Sequence, residues 1–225
     1  MPTPPRSDRE IVYGRNAVEE AQRGRRRVHR VWTADELPAG ELTRLASSPE
    51  HQGVVAEVDP YRYADPASLL KASDALVVAL DQVQDPRNLG AICRSAEVAG
   101  AAGVVIPARR AAAVTAVACK ASAGAVEHVA VARTRNLADW LGAAKREGAW
   151  VYGTRPGAPT RYDTLDWEGR VVVVLGGEGK GIRPRVLSAC DALVAIPQAG
   201  RVGSLNVSAA AAVLLFEALR RRTGG

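Results

Sequence analysis

The chain has 225 residues, 47% of them hydrophobic but only 4% aromatic, so its core must be built mainly from Ala, Val and Leu. A formal charge of +6 favours a polyanionic partner, while the absence of any apolar run near the ~18 residues of a membrane span, and of an opening signal peptide, points to a cytoplasmic protein without membrane contact. The three cysteines, Cys93, Cys119 and Cys190, are widely separated in apolar surroundings, which excludes metal-ligand spacing and reads as reduced core thiols.

Met1–Arg9 contains three prolines and several charges and reads as a disordered tail. Residues 10–59 form a small α/β unit, with a helix over Asn16–Gln22, a strand over Val28–Trp32 and an alternating strand over Val54–Val58. Within it, Arg23-Gly24-Arg25-Arg26-Arg27-Val28-His29-Arg30 is a dense basic run beside a strand, suited to phosphate contacts. Residues 60–74, with Pro60, Pro66, Tyr61 and Tyr63, read as a linker running into a short helix.

From residue 75 to 225 strands and helices alternate. Strands are predicted at Ala75–Leu80, Val104–Ile106, Val126–Val131, Ala149–Gly153, Val171–Leu175 and Ala192–Ile196. Helices are predicted at Asn88–Ala99, closed by Gly100 and Gly103, at Ala111–Ala118 and at Ser208–Arg222. A further helix begins at Asn136, a cap with Asp139 facing back, and carries the stripe Leu137, Trp140, Leu141 and Ala144. This alternation implies an α/β fold with a mostly parallel sheet covered on both faces.

Three motifs carry chemistry. After the valine run comes Gly176-Gly177-Glu178-Gly179, with Gly181 completing a Gly-x-Gly-x-Gly pattern. A phosphate loop would need Ser or Thr after Lys180, and a dinucleotide fingerprint would need Gly at Ile182, so both fail. The glycine loop of an ordinary Rossmann methyltransferase follows the first strand, whereas too little chain follows this one. Glu178, an acid among exposed backbone N–H groups, suits a ligand with donors, such as a ribose hydroxyl or an amine. The second motif, Ser204-Leu205-Asn206-Val207-Ser208, interleaves polar and apolar residues before the last helix, exposing the polar set and burying Leu205 and Val207. Any one of these polar residues also serves as an N-cap. The third is Asp85–Arg94. Asn88 can cap its helix; Arg94 lies ~600° of rotation further and shares no face with it. Arg94 is then either half of a structural ion pair or reserved for an anion.

Asn88–Arg94, Leu175–Gly179, Ile196-Pro197 and Ser204–Ser208, in this order, resemble the signature motifs of the SpoU (TrmH-like) RNA 2′-O-ribose methyltransferases of the SPOUT superfamily, over Ala75 to about Arg220. Tyr13–Val18 and His51–Val54 resemble the ribosomal-protein-like RNA-binding domain of RlmB-type members, which methylate a guanosine of 23S rRNA. The resemblance implies a deeply knotted sheet (the SPOUT α/β trefoil knot), an exception to the rule against threading. It also implies a homodimer with the last helix at the contact, and S-adenosylmethionine held by Leu175, Gly176, Gly177, Glu178, Ile196, Gln198, Ser204 and Leu205. Catalytic roles fall to Arg94, Asn88, Glu178, Ser204 and Asn206, and RNA contacts to Arg15, Arg25, Arg26, Arg27 and Arg30. No metal is implied. The interval Trp32–His51 is short for the family, which implies a reduced or missing helix or strand there, and Gln198 stands where Met is commoner. A tRNA guanosine methyltransferase and a non-catalytic RNA-binding protein are the competing expectations.

Overall fold

The valine-rich segments form the middle of one sheet because both of its faces are covered. In the computed structural model, which describes residues 8–201 and 203–224, β4 (Leu76–Asp81), β5 (Gly103–Pro107), β6 (Val131–Thr134), β7 (Trp150–Thr154), β8 (Thr160–Arg161), β9 (Val171–Gly176) and β10 (Ala192–Ala195) make a seven-stranded sheet. Its order is β6-β5-β4-β9-β7-β10-β8, and every pairing is parallel. β4 is buried at every position, the mark of a strand with helices on both faces. On one face Leu76, Val78, Val171 and Val173 pack against α3 (Pro86–Val98) and α7 (Val207–Arg222). On the other, Val77, Ala79, Val172 and Val174 meet α5 (Leu137–Arg146) and α6 (Pro184–Leu187).

A second, antiparallel sheet in the order β1-β3-β2 precedes it, from β1 (Glu10–Tyr13), β2 (Val28–Thr33) and β3 (Val54–Val58). Side chains alternate as a strand requires. Val55 packs with Tyr13, Trp32 and Leu42 under α2 (Ala39–Ala46), while Ala56 and Val58 join Val12, Ala17 and Val18 of α1 (Arg15–Arg23) in the main core. The two sheets therefore share one apolar interior.

Several expectations are corrected. The interval Trp32–His51 holds one α-helix, α2, which the sequence pattern did not mark. The helix expected at Ala111–Ala118 is α4 (Ala116–Ala121): Thr115 caps it, and Ala112 N–H is instead committed to Val83 O at 2.8 Å. Val126–Val131 is not a strand: Ala125–Glu127 is a 3₁₀ turn, and β6 begins at Val131. Asp85, not Asn88, caps α3, accepting from Arg87 N–H at 2.8 Å. The linker's expected helix is the 3₁₀ turn Pro66–Leu70, but the segment is docked: Tyr61 O–H donates to Val126 O, and Ala64 bridges Ala132. Of the expected disordered tail, Met1–Ser7 lie outside the described residues, and Arg9 is tied to Glu57 at 2.6 Å. Among the described residues no helix is long and apolar enough to cross a membrane.

Candidate functional site

In a parallel sheet all strands end on one edge, and ligands of such folds bind there. A cavity of about 640 Å³ opens at the ends of β7, β9 and β10. Its floor is apolar, with Leu175, Val194, Val207, Ala210 and Leu214; its rim carries Glu178, Lys180, Gln198, Ser204, Asn206 and Arg155. All eight positions singled out for a cofactor, Leu175, Gly176, Gly177, Glu178, Ile196, Gln198, Ser204 and Leu205, line it.

Sterics fix the glycine turn. A Cβ on Gly177 would lie 2.2 Å from Gln82 O, and one on Gly176 2.2 Å from Gly181 C, so both places admit only glycine. Gly177 N–H donates to Asp81 O at 2.7 Å, and Gly181 N–H returns to Gly177 O at 3.0 Å. Gly179 adopts φ +75°, where a side chain is strained, although the space around it is open. Beneath the turn, the fully buried Asp81 carboxylate accepts from Arg183 N–H at 2.8 Å and from its Nε at 2.9 Å. This charge-assisted clamp holds both ends of the turn.

The three motifs converge at the cavity mouth. Asn88 Nδ2 donates to Glu178 Oε1 at 2.7 Å. Asn206 Nδ2 donates to the same Oε1 at 3.2 Å and to Asn88 Oδ1 at 3.1 Å. Asn206 Oδ1 in turn accepts from Ser208 N–H at 2.8 Å and from its hydroxyl at 2.6 Å, which caps α7 and fixes the amide's orientation. Residues far apart in sequence thus form one hydrogen-bonded triad. Glu178 Oε2 has no partner among the described residues and is left as an acceptor. Among the described residues of 198–205, no backbone group bonds to another backbone group. The lining residues Gln198, Ser204 and Leu205 therefore present backbone N–H and C=O groups with no backbone partner among the described residues.

Arg94 is not brought to the cavity of its own chain. Its side chain is exposed on α3 and makes no ion pair with any described residue. Leu205 is 44% exposed at the cavity lip, not buried as the alternation implied, while Val207 is buried. Of the expected RNA contacts, Arg15 on α1 and Arg25, Arg27 and Arg30 of the basic run are exposed, with Arg30 over the Trp32 ring at 5.0 Å. Arg26 is a correction: its guanidinium is buried against Glu127 and reaches Glu10 at 3.2 Å, so it pins the two sheets together and is unavailable to phosphate. Burial raises the thiol pKa of Cys119 and Cys190 to about 11, and that of Cys93 further still. All three are free; Cys93 and Cys119 are buried in the core and Cys190 is half-buried against it. No metal-binding group of His, Cys, Asp or Glu occurs among the described residues.

Sequence reasoning missed Thr154, Arg155, Lys180 and the Asp81–Arg183 clamp. The end of the strand neighbouring β9 was the available signal for the first two, since neighbouring parallel strands share an edge.

Residues 75–216 match the SpoU rRNA Methylase family, and the chain belongs to it. It is 37% identical over 239 residues to YacO of Bacillus subtilis, named for the TrmH family of tRNA/rRNA methyltransferases, across 95% of this chain and 96% of that one. It is 47% identical over 197 residues to a Mycobacterium avium protein described as an uncharacterized tRNA/rRNA methyltransferase; the match takes in 84% of this chain but only 62% of that longer relative. Among solved structures it resembles the SpoU methyltransferase AviRb of Streptomyces viridochromogenes in complex with AdoMet, with TM-score 0.81 and 26% identity over 97% of this chain and 92% of that one. It also resembles an RNA 2′-O ribose methyltransferase, with TM-score 0.82 and 26% identity over 96% of this chain and 90% of that one.

Proposed function

We propose that this protein methylates the 2′-hydroxyl of a ribose in RNA, using S-adenosylmethionine, with a guanosine of 23S rRNA as its substrate. The observation that carries the reading is the triad Asn88–Glu178–Asn206, assembled from three separate motifs at the mouth of a cavity of the right size and polarity. The residues present fit the cofactor. The apolar floor suits an adenine ring, and the backbone groups of Gln198, Ser204 and Leu205, with no backbone partner among the described residues, suit its polar edge. Glu178 Oε2 suits a ribose hydroxyl or an ammonium, and Lys180 and Arg155 on the rim suit a carboxylate. When bound, S-adenosylmethionine supplies a methyl group on a cationic sulfur.

The residues of the chain have to position the ribose and manage a proton. A 2′-hydroxyl is a poor nucleophile unless its proton leaves as the new bond forms. Asn88 and Asn206 are held rigidly through Glu178 and can orient the ribose; Ser204 stands on the same rim. Arg94 has no acid partner among the described residues and can serve an anion. A guanidinium stays protonated in ordinary settings, so its role is to stabilise the developing alkoxide and hold the neighbouring phosphate, which takes the proton. Deprotonation of Arg94 in a crowded cationic pocket is the competing route.

Homodimerisation belongs to the same proposal. Arg94 and the exposed Val98 stand one turn apart on α3, which packs on α7. There Ala209, Ala212, Val213 and Phe216 form an apolar row that the described residues do not cover fully, with Phe216 45% exposed. In this reading two copies join along this face, with Arg94 at the seam. Residues 10–59 are read as the substrate-recognition domain, with Arg15, Arg25, Arg27 and Arg30 as phosphate contacts, and residues 75–225 as the methyltransferase domain joined by 60–74. The knotted path is part of the reading, supported by β9 lying between β4 and β7 and by α7 returning to α3. The test is transfer of radiolabelled methyl from S-adenosylmethionine to deproteinised rRNA. Incorporation that disappears in Asn206→Ala supports the enzyme; tight RNA binding with no incorporation supports the non-catalytic reading.

A further inference from the structure

We propose that the loops after β5 and β6 carry a second RNA-contact surface, a phosphate-binding strip leading substrate RNA along the sheet edge to the cavity. The strip is separate from the basic run of the N-terminal unit, and it rests on RNA being the substrate of the cavity.

Three backbone contacts make the surface continuous. Ala108 N–H donates to Thr134 O at 2.8 Å, joining the ends of β5 and β6. Ala112 N–H donates to Val83 O at 2.8 Å, carrying the β5 loop onto the loop after β4. That loop abuts the glycine turn through the 2.7 Å bond from Gly177 to Asp81. From β6 to β9 is three strand steps, roughly 14 Å.

The charge on this stretch is one-sided. Arg109 and Arg110 follow β5, and Arg133 and Arg135 stand at the end of β6, with no acid in Ala108–Ala113 or Val131–Asn136. All four arginines are exposed, and none pairs with a carboxylate among the described residues. Arg133 is braced instead by Tyr63, over whose ring it lies at 3.6 Å and whose hydroxyl it bonds at 2.8 Å. This leaves a planar, fixed guanidinium face, the geometry that suits phosphate or a stacked base. Arg110 holds φ +57°, a conformation unusual for a side-chain-bearing residue, at the tip of the β5 loop. The opposite edge of the sheet looks different. There Arg170 donates to Leu70 O and Glu147 O, Lys145 pairs with Asp191 at 2.5 Å, and Arg222 donates to Trp167 O and Gly169 O. Arg170, Lys145 and Arg222 on that edge tie the fold, whereas Arg109, Arg110, Arg133 and Arg135 make no ion pair with a described residue. Single-sign charge next to a site concentrates a polyanion there.

The experiment compares the unmodified protein with Arg109→Ala/Arg110→Ala/Arg135→Ala and with Lys71→Ala/Arg146→Ala, which removes exposed cations of the opposite edge that have no ion-pair partner among the described residues. Binding of a 23S rRNA transcript is measured across salt concentrations, with S-adenosylmethionine affinity measured in parallel. The strip predicts at least a tenfold weaker Kd at physiological salt for the triple variant and a salt slope shallower by about 2, at roughly 0.7–0.9 for each phosphate no longer neutralised. Cofactor affinity stays unchanged, and the opposite-edge variant shifts Kd less than twofold. Equal losses in both variants, an unaltered triple variant, or no RNA binding by the unmodified protein overturns the proposal. An unmodified protein that binds RNA but transfers no methyl overturns the proposed activity instead, and the salt slopes still decide the strip.

Discussion

Gly177→Ala isolates the close approach on which the cavity depends. Its backbone is not in the left-handed region, so alanine costs nothing conformationally, and the whole penalty is steric. The new Cβ would sit 2.2 Å from Gln82 O and 2.8 Å from Gln82 C, against a normal carbon–oxygen contact of about 3.3 Å. The ends of β4 and β9 must therefore part by about 1 Å. Separation on that scale breaks the 2.7 Å bond from Gly177 N–H to Asp81 O, about 1 kcal/mol, and adds overpacking strain of about 1–3 kcal/mol. The expected loss of stability is about 2–4 kcal/mol, read from urea midpoints at constant slope. Because the turn also forms the cavity wall, S-adenosylmethionine affinity falls at least tenfold by calorimetry. Gly179→Ala is the matched control: open space but φ +75°, so about 1–2 kcal/mol of stability and little affinity are lost. A Gly177→Ala protein as stable as the unmodified one, or one less perturbed than Gly179→Ala, refutes the reasoning.

Arg94→Ala should lower methyl transfer by several orders of magnitude with cofactor affinity within twofold; near-normal rates would remove Arg94 from the chemistry. Arg94→Lys separates the two proton accounts. Activity rising with pH marks a base, whereas weak activity without that rise marks electrostatic stabilisation, because a compact ammonium cannot reproduce the planar fork. Glu127→Gln strands the buried Arg26 charge and should cost about 3–5 kcal/mol in urea unfolding; a loss under 1 kcal/mol would show that the pair does not pin the sheets. Burial raises all the thiol pKa values, those of Cys119 and Cys190 to about 11, so at pH 8 the thiols are neutral and thiolate grows only as pH climbs toward those values. Native protein at pH 8 should leave Cys93 and Cys119 unlabelled by a thiol reagent until it is unfolded, and fast labelling of either would contradict their burial.

The strands that sequence reasoning finds are those whose burial is written into composition. The runs Val171–Leu175 and Ala75–Leu80 are apolar at every position because helices cover both faces, and Leu137, Trp140, Leu141 and Ala144 mark α5 by spacing alone. The elements that escape it are set by tertiary partners. Ala111–Val114 has helical composition but spends its backbone on Val83, and β8 is only Thr160–Arg161, too short for periodicity to register. Asn88 reads as a cap because Asn favours that role, yet Asp85 stands earlier and leaves Asn88 free to meet Glu178. The grouping of motifs into one site follows from their order and from strand ends sharing an edge, but the hydrogen bonds among them do not. The Arg26–Glu127 pair is likewise illegible, because a basic run reads as solvated until an acid 101 residues away is folded against it.

The most direct test of the proposed chemistry is to incubate the purified protein with S-adenosylmethionine and unmodified 23S rRNA, digest the RNA to nucleosides and identify the methylated product by mass spectrometry. The expected product is 2′-O-methylguanosine, at a single position, lost in both Arg94→Ala and Asn206→Ala. A methyl group found on a base, or no methylated nucleoside from 23S rRNA or tRNA, would contradict the ribose 2′-hydroxyl as the acceptor.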